Sequence, residues 1–166
     1  MIRWGKLLYL TASVLPETPI GQILSGPNIL VVPANSKFKT VKDLIDYARA
    51  NPGKVNWASS GIGSSLHLSG LLFMQLSGVD MLHIPYKGGL PAMQAVMAGD
   101  VDFMCENPQP TFMSPASPVR PLAVFQPTRL PSLPDVPSIL EAGFKQELTI
   151  RSWHGLFLKK GTPESV

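Results

Sequence analysis

From Asn28 onward, short apolar runs bounded by proline or glycine alternate with stretches whose apolar residues recur every three or four positions. Runs of the first kind suit buried strands and those of the second suit helices packed by one stripe. Their alternation is the pattern of an α/β domain. Residues 28–32 read as a buried strand halted by Pro33. Thr40 is a good helix N-cap with Asp43 three residues on, and Val41, Leu44, Ile45 and Ala48 supply the stripe of a helix that ends at Asn51-Pro52-Gly53. Residues 55–58 form the next strand and residues 59–65 a loop of small side chains. The helix that follows offers Leu66, Leu68, Leu72, Phe73 and Leu76 to the core and closes at Gly78. Residues 81–84 and 101–105 are further strands, separated by a helix from about Leu90 to Ala98 that Gly99 caps. Beyond a loop rich in proline and serine come an apolar run at 121–125 and an extended segment marked by Pro127, Pro131, Pro134 and Pro137. A short helix over 138–142 is expected to close at Gly143, and a last strand covers 149–158.

Composition narrows the class. Hydrophobic residues make up 45% of the 166 and charged residues 15%, which supports a packed core and opposes disorder. The formal charge of +3 is scattered, with Lys159-Lys160 the only adjacent basic pair, so no nucleic-acid stripe is expected; the mild basicity suits an anionic small molecule. Cys105 is the only cysteine, which excludes an internal disulfide. No stretch approaches the roughly 18 continuous apolar residues of a membrane-spanning helix. Residues 1–15 imitate the basic and apolar regions of a secretory signal. Thr11 and Ser13 interrupt the apolar part and no small-x-small cleavage site follows, so a true signal is not expected.

In open α/β sheets, ligands bind at the C-terminal ends of strands, where the next helix begins. Three segments hold that position. Ser59, Ser60, Gly61, Gly63, Ser64 and Ser65 make a loop in which glycines admit close backbone approach, N–H groups at a helix start suit a carboxylate or phosphate, and four hydroxyls add donors. The ordinary alternative is a helix cap with a flexible lead-in. Tyr86, Lys87, Gly88 and Gly89 form the second segment, with a cation and a hydroxyl-tipped apolar wall, or else an ordinary solvated turn. Glu106 and Asn107 form the third: an amide to bond a ligand and a carboxyl to orient it, or an exposed strand end. Nucleotide motifs are absent, since Leu66 stands where a third glycine belongs and no Gly-Lys-Ser/Thr occurs. A Gly-x-Ser-x-Gly nucleophile elbow is missing too. His67, His83 and His154 share no metal-ligand spacing with one another or with Cys105 and read as structural; Cys105, in an apolar strand, reads as a buried inert thiol. Neither catalysis, a metal nor a cofactor is expected.

Residues 55–70, the run His83-Ile84-Pro85-Tyr86-Lys87-Gly88-Gly89, residues 99–104, residues 120–124, the landmarks Leu133-Pro134-Asp135-Val136-Pro137-Ser138 and Glu141-Ala142-Gly143, and Ser152-Trp153-His154-Gly155-Leu156-Phe157 occur in this order. Together they resemble the solute receptors of tripartite tricarboxylate transporters, the Bug or TctC-like proteins, from about Thr18 to the end. The resemblance implies a type II periplasmic-binding-protein-like α/β fold of two lobes around a cleft, and a periplasmic location. It implies a small organic carboxylate as ligand, held largely by loop backbone, hydroxyls and water, then delivered to membrane permease subunits. The family's N-terminal strand and ligand-gripping loop have no counterpart in residues 1–16, and its C-terminal helices beyond Gly161-Thr162-Pro163 are absent. The expectation is therefore one complete lobe plus fragments of the second: a remnant at 1–27, the ligand-binding lobe at 28–125, and a return segment at 126–166. An exposed interlobe face would then favour a homodimer. Two other classes stay open beside a truncated receptor: a stand-alone interaction or regulatory domain derived from the lobe, and an enzyme built on Cys105 with His67 or His83.

Overall fold

A computed structural model of the chain describes residues 17–163 apart from 115 and 147. The signal-like stretch of residues 1–16 lies outside the described residues. The chain divides into two compact units, residues 26–152 and residues 1–25 with 153–166. In the second, β1 (Glu17–Pro27) and β7 (Arg151–Lys159) pair as a two-stranded ribbon with Ile20, Ile23, Leu24, Leu156 and Phe157 exposed. The apolar pattern does not announce β1, because its apolar residues do not alternate regularly.

The larger unit is built on β2 (Ile29–Pro33), β3 (Asn56–Ser59), β4 (Leu82–Pro85), β5 (Phe103–Glu106) and β6 (Val119–Val124), in the sheet order β4-β3-β5-β2-β6. β3 runs parallel to both β4 and β5, whereas β2 is antiparallel to β5 and β6. β2 is buried along its whole length. Leu30 and Val32 enter one core cluster and Ile29 and Val31 the other, as the two-residue period of a strand covered on both faces requires. Pro121, which cannot donate to a ladder, sits in the edge strand β6 beside a register shift at Leu30/Val31.

The first cluster takes in Val41, Leu44 and Ala48 of α1 (Val41–Ala50) and Phe73 of α2 (Ser65–Ser77); the second takes in Ala92, Ala95 and Val96 of α3 (Gly89–Ala98) and Phe112 of a 3-10 helix at Pro110–Met113. The helix ends follow the sequence closely. Thr40 Oγ1 accepts from Asp43 N at 3.1 Å while Asp43 Oδ2 accepts from Thr40 N at 3.0 Å, a complete capping box. N–H groups of Lys39 and Thr40 and the Thr40 hydroxyl hold the Asp43 carboxyl below the usual carboxylate range. Thr40→Ala removes one half of the box and is expected to lower the melting temperature by about 2–4 °C, measured by calorimetry. Gly78 and Gly99 end α2 and α3 in the left-handed region, where glycine carries no Cβ penalty.

Two expectations change. Residues 138–142 do not form a helix: Ser138 makes an isolated bridge with Val124 and residues 139–143 form turns, although the signals of a helix start are in place. Glu141 N donates to Ser138 Oγ at 3.2 Å and Ser138 N to Glu141 Oε2 at 2.8 Å. Gly143, at φ +102°, stops the chain after a single turn, too short to offset the cost of nucleation. On α2 the buried residues are Leu66, Ser69, Gly70 and Phe73, with Leu72 and Leu76 partly buried and Leu68 left 45% exposed. That helix is apolar on almost every side, so its own pattern does not choose the packed face.

Candidate functional site at three strand ends

Because β3, β4 and β5 are parallel neighbours, their C-terminal ends reach one edge of the sheet, and α2 and α3 both start there. The three segments singled out in the sequence are consequently contiguous. Tyr86 N donates to Ser59 O at 3.0 Å, a Cβ on Gly61 would lie 3.6 Å from Tyr86 O, and one on Gly89 would lie 3.5 Å from Glu106 Oε2. Gly61 and Gly63 adopt φ of +128° and +85°, which L side chains rarely adopt, and this allows the loop to double back over the strand ends.

The backbone keeps donors to spare. Within the described residues, the N–H groups of Ile62, Ser65 and Leu66 before and at the start of α2 carry no hydrogen bond, and neither do those of Gly89 and Leu90 at the start of α3. Such first-turn donors are the groups that suit an anion. The hydroxyls are a different matter. Ser64 Oγ caps α2 through His67 N at 3.1 Å and bonds Gly61 O at 2.8 Å; Ser65 Oγ pairs with Ser152 Oγ at 2.7 Å. Ser59 is fully buried, with its Oγ 2.8 Å from His83 Nε2. Of the four hydroxyls, three shape the loop and Ser60 has no such internal partner. Lys87 is exposed at the turn, Gly88 precedes α3 at φ +115°, and Asn107 N donates to Glu106 Oε1 at 2.7 Å.

Beneath the loop lies a stack that the sequence did not disclose. Trp57 packs against His83 at 4.2 Å and His67 at 5.9 Å between ring centroids, and the two histidine rings are 4.6 Å apart. His67 Nδ1 accepts from Gly63 N at 3.2 Å, so the imidazole supports the loop as an acceptor. Burial, and secondarily His67, hold His83 below the usual histidine range. A second network is also missing from any local pattern: fully buried Asn28 donates through Nδ2 to Ser69 Oγ at 2.6 Å and Ser65 O at 3.2 Å, and accepts from Ser152 Oγ at 2.7 Å. Both histidines fall inside motifs quoted above, yet spacing alone could not place their rings in contact.

Cys105 is enclosed in the core, where burial first and the adjacent Glu106 second push its thiol well up, away from thiolate chemistry. Glu106 is buried as well, and burial holds its carboxyl above the usual range, opposed by the Asn107 N–H. An open concavity of about 510 Å³ lies away from these loops, between the C-terminal parts of α1 and α2 and residues 142–146. Asp46 there is already paired with Lys42 and Arg49.

Compared with known proteins, residues 4–166 match the family described as the tripartite tricarboxylate transporter family receptor. A UPF0065 protein from the tcbD-tcbE intergenic region of Pseudomonas sp. (strain P51) is 42% identical over 149 residues, covering 89% of this chain and 44% of that protein. Among solved structures, R. palustris Rpa4515 with adipate superposes with a TM-score of 0.83 at 34% identity, over 92% of this chain and 51% of that one. The periplasmic binding protein BugD gives 0.81 at 34% identity, over 90% and 50%. The chain thus spans about half the length of the relatives it matches, and its α/β fold is that of the periplasmic binding proteins.

Proposed function

The chain belongs to the tripartite tricarboxylate transporter receptor family, and from that premise we propose that it is the solute-binding component of such a transporter, taking a small organic carboxylate at the ends of β3, β4 and β5. The observation that carries this reading is the convergence of three strand-end loops at one sheet edge, with unpaired N–H groups at the starts of α2 and α3. Those donors are fixed before any ligand arrives, so a carboxylate gains charge-assisted hydrogen bonds at little ordering cost. Residues 28–125 are the ligand-holding lobe in this reading. Residues 1–27 belong to the other lobe, and residues 126–166 are the segment returning toward it. The bound acid would be released to permease subunits in the membrane from a periplasmic location, without chemistry. Self-association through the exposed apolar side chains of the β1–β7 ribbon belongs to the same proposal.

Thermal denaturation tests it. Adipate at about a hundred times its dissociation constant should stabilise the chain by about 2.7 kcal/mol, a rise of about 5–10 °C in melting temperature. Gly61→Val forces a branched side chain into a glycine-only backbone region and should abolish the rise while the protein still unfolds cooperatively. A flat response of the unsubstituted chain to aliphatic, aromatic and amino acids would remove the proposal and leave a domain serving interaction or regulation.

A further inference from the structure

Glu106 is the one charged side chain buried among the described residues, at 6% exposure. It closes β5 at the sheet edge that the candidate site occupies. Its Oε1 accepts from Asn107 N at 2.7 Å, and its Oε2 lies beside Gly89 where α3 begins. It takes no part in the ion pairs Lys42–Asp46, Arg49–Asp46 and Arg129–Glu141, and no cation among the described residues lies within ion-pair distance of it. The elements around it are empty of charge: β2, β3, α3 and residues 107–118 contain no ionisable side chain. The remaining titratable groups nearby are Cys105 on its own strand, Tyr86 and Lys87 on the turn before α3, His83 on β4 and His67 on α2. Lys87 is exposed to solvent.

A buried carboxylate without a countercharge is a poor wall for a pocket that takes acids. Two carboxylates sharing one corner cannot both remain ionised, and the favourable arrangement holds a single proton between them. Resting on the binding reading above, we infer that Glu106 is the specificity-setting group of this site: it is protonated in the bound state and donates its O–H to a carboxylate oxygen of the ligand. Three properties of the carboxyl support this. Burial already raises its proton affinity in the free chain. Oε1 is committed to Asn107 N–H, which leaves Oε2 to carry the proton. Oε2 is also the oxygen at the starting turn of α3, beside the unpaired Gly89 and Leu90 N–H groups that would share the anion. Above the free Glu106 pKa, binding then removes up to one proton from solvent per ligand, so affinity falls there as pH rises, by up to about tenfold per unit.

Titration calorimetry with adipate on this chain tests the inference, at about pH 6.5 and about pH 8.5, where both ligand carboxyls are ionised. Two buffers of different ionisation heat report the protons exchanged. The expected result is a dissociation constant weaker at the higher pH, by up to about a hundredfold, with net proton uptake of up to one per adipate at the higher pH. Glu106→Gln carries a permanent N–H donor; it should bind with a constant that does not change with pH, take up no proton, and exceed the unsubstituted chain at the higher pH. Adipate binding without pH dependence or proton uptake in the unsubstituted chain overturns the inference, even if Glu106→Gln fails to fold. It is overturned equally if the variant keeps the slope, which would then belong to His67 or His83. Absence of binding at either pH, in the chain and the variant alike, sinks the binding reading itself and the Glu106 role with it.

Discussion

Gly70→Ala is expected to lower the melting temperature by about 4–8 °C, although alanine is the better helix former by about 1 kcal/mol. A Cβ at position 70 would lie 2.2 Å from Cζ3 of Trp57 and 2.6 Å from two more atoms of the same ring, where real Cβ atoms are essentially never found. The ring cannot yield cheaply. Trp57 is fully buried and stacked against Phe103, His83 and His67, so displacing it disturbs β5 on one side and the histidines beneath the Ser59–Ser65 loop on the other. Overpacking of this kind costs about 1–3 kcal/mol or more and outweighs the gain in helix propensity. Trp57→Phe removes the clashing ring atoms, along with an indole N–H that has no partner among the described residues. In that background the same substitution should cost less than about 1 kcal/mol. Chemical denaturation of the four proteins measures the coupling, and equal costs in both backgrounds would show that the tryptophan is not the obstacle.

Asn28→Ala should destabilise the chain by about 2–4 kcal/mol, read from the same denaturation curves. The amide makes three hydrogen bonds in a site without solvent, and its loss leaves the Ser69 hydroxyl without its partner and takes one partner each from Ser65 O and from Ser152 Oγ, which keeps only Ser65 Oγ. Asn28→Asp preserves the shape and should cost more, because it turns the donor facing Ser65 O into a second acceptor and buries a charge. Since Ser65 begins α2, both substitutions should also weaken the carboxylate binding proposed for the loop. A loss below about 1 kcal/mol for the alanine variant would mean that water replaces the amide.

Adjacent parts of the chain decide some of these features and distant parts the rest. The capping box at Thr40 and Asp43, the glycine stops at Gly78 and Gly99, and the order of strands and helices over residues 28–106 were legible because each depends on bonds spanning a few residues, or on one residue's φ. The motifs that mark the family were legible for the same reason: they are short contiguous runs at strand-to-helix turns. Tertiary structure alone decided that β2 runs against its neighbours, that α2 packs through Gly70 and not Leu68, and that the hydroxyls of Ser59, Ser64 and Ser65 are turned inward. It also decided that Glu106 is buried with no countercharge. Those outcomes rest on partners such as Asn28 and Ser152, separated by 124 residues, whose approach is set by the packing of the whole sheet. A side chain's polarity shows that it needs a partner; only the folded chain supplies one, or withholds it.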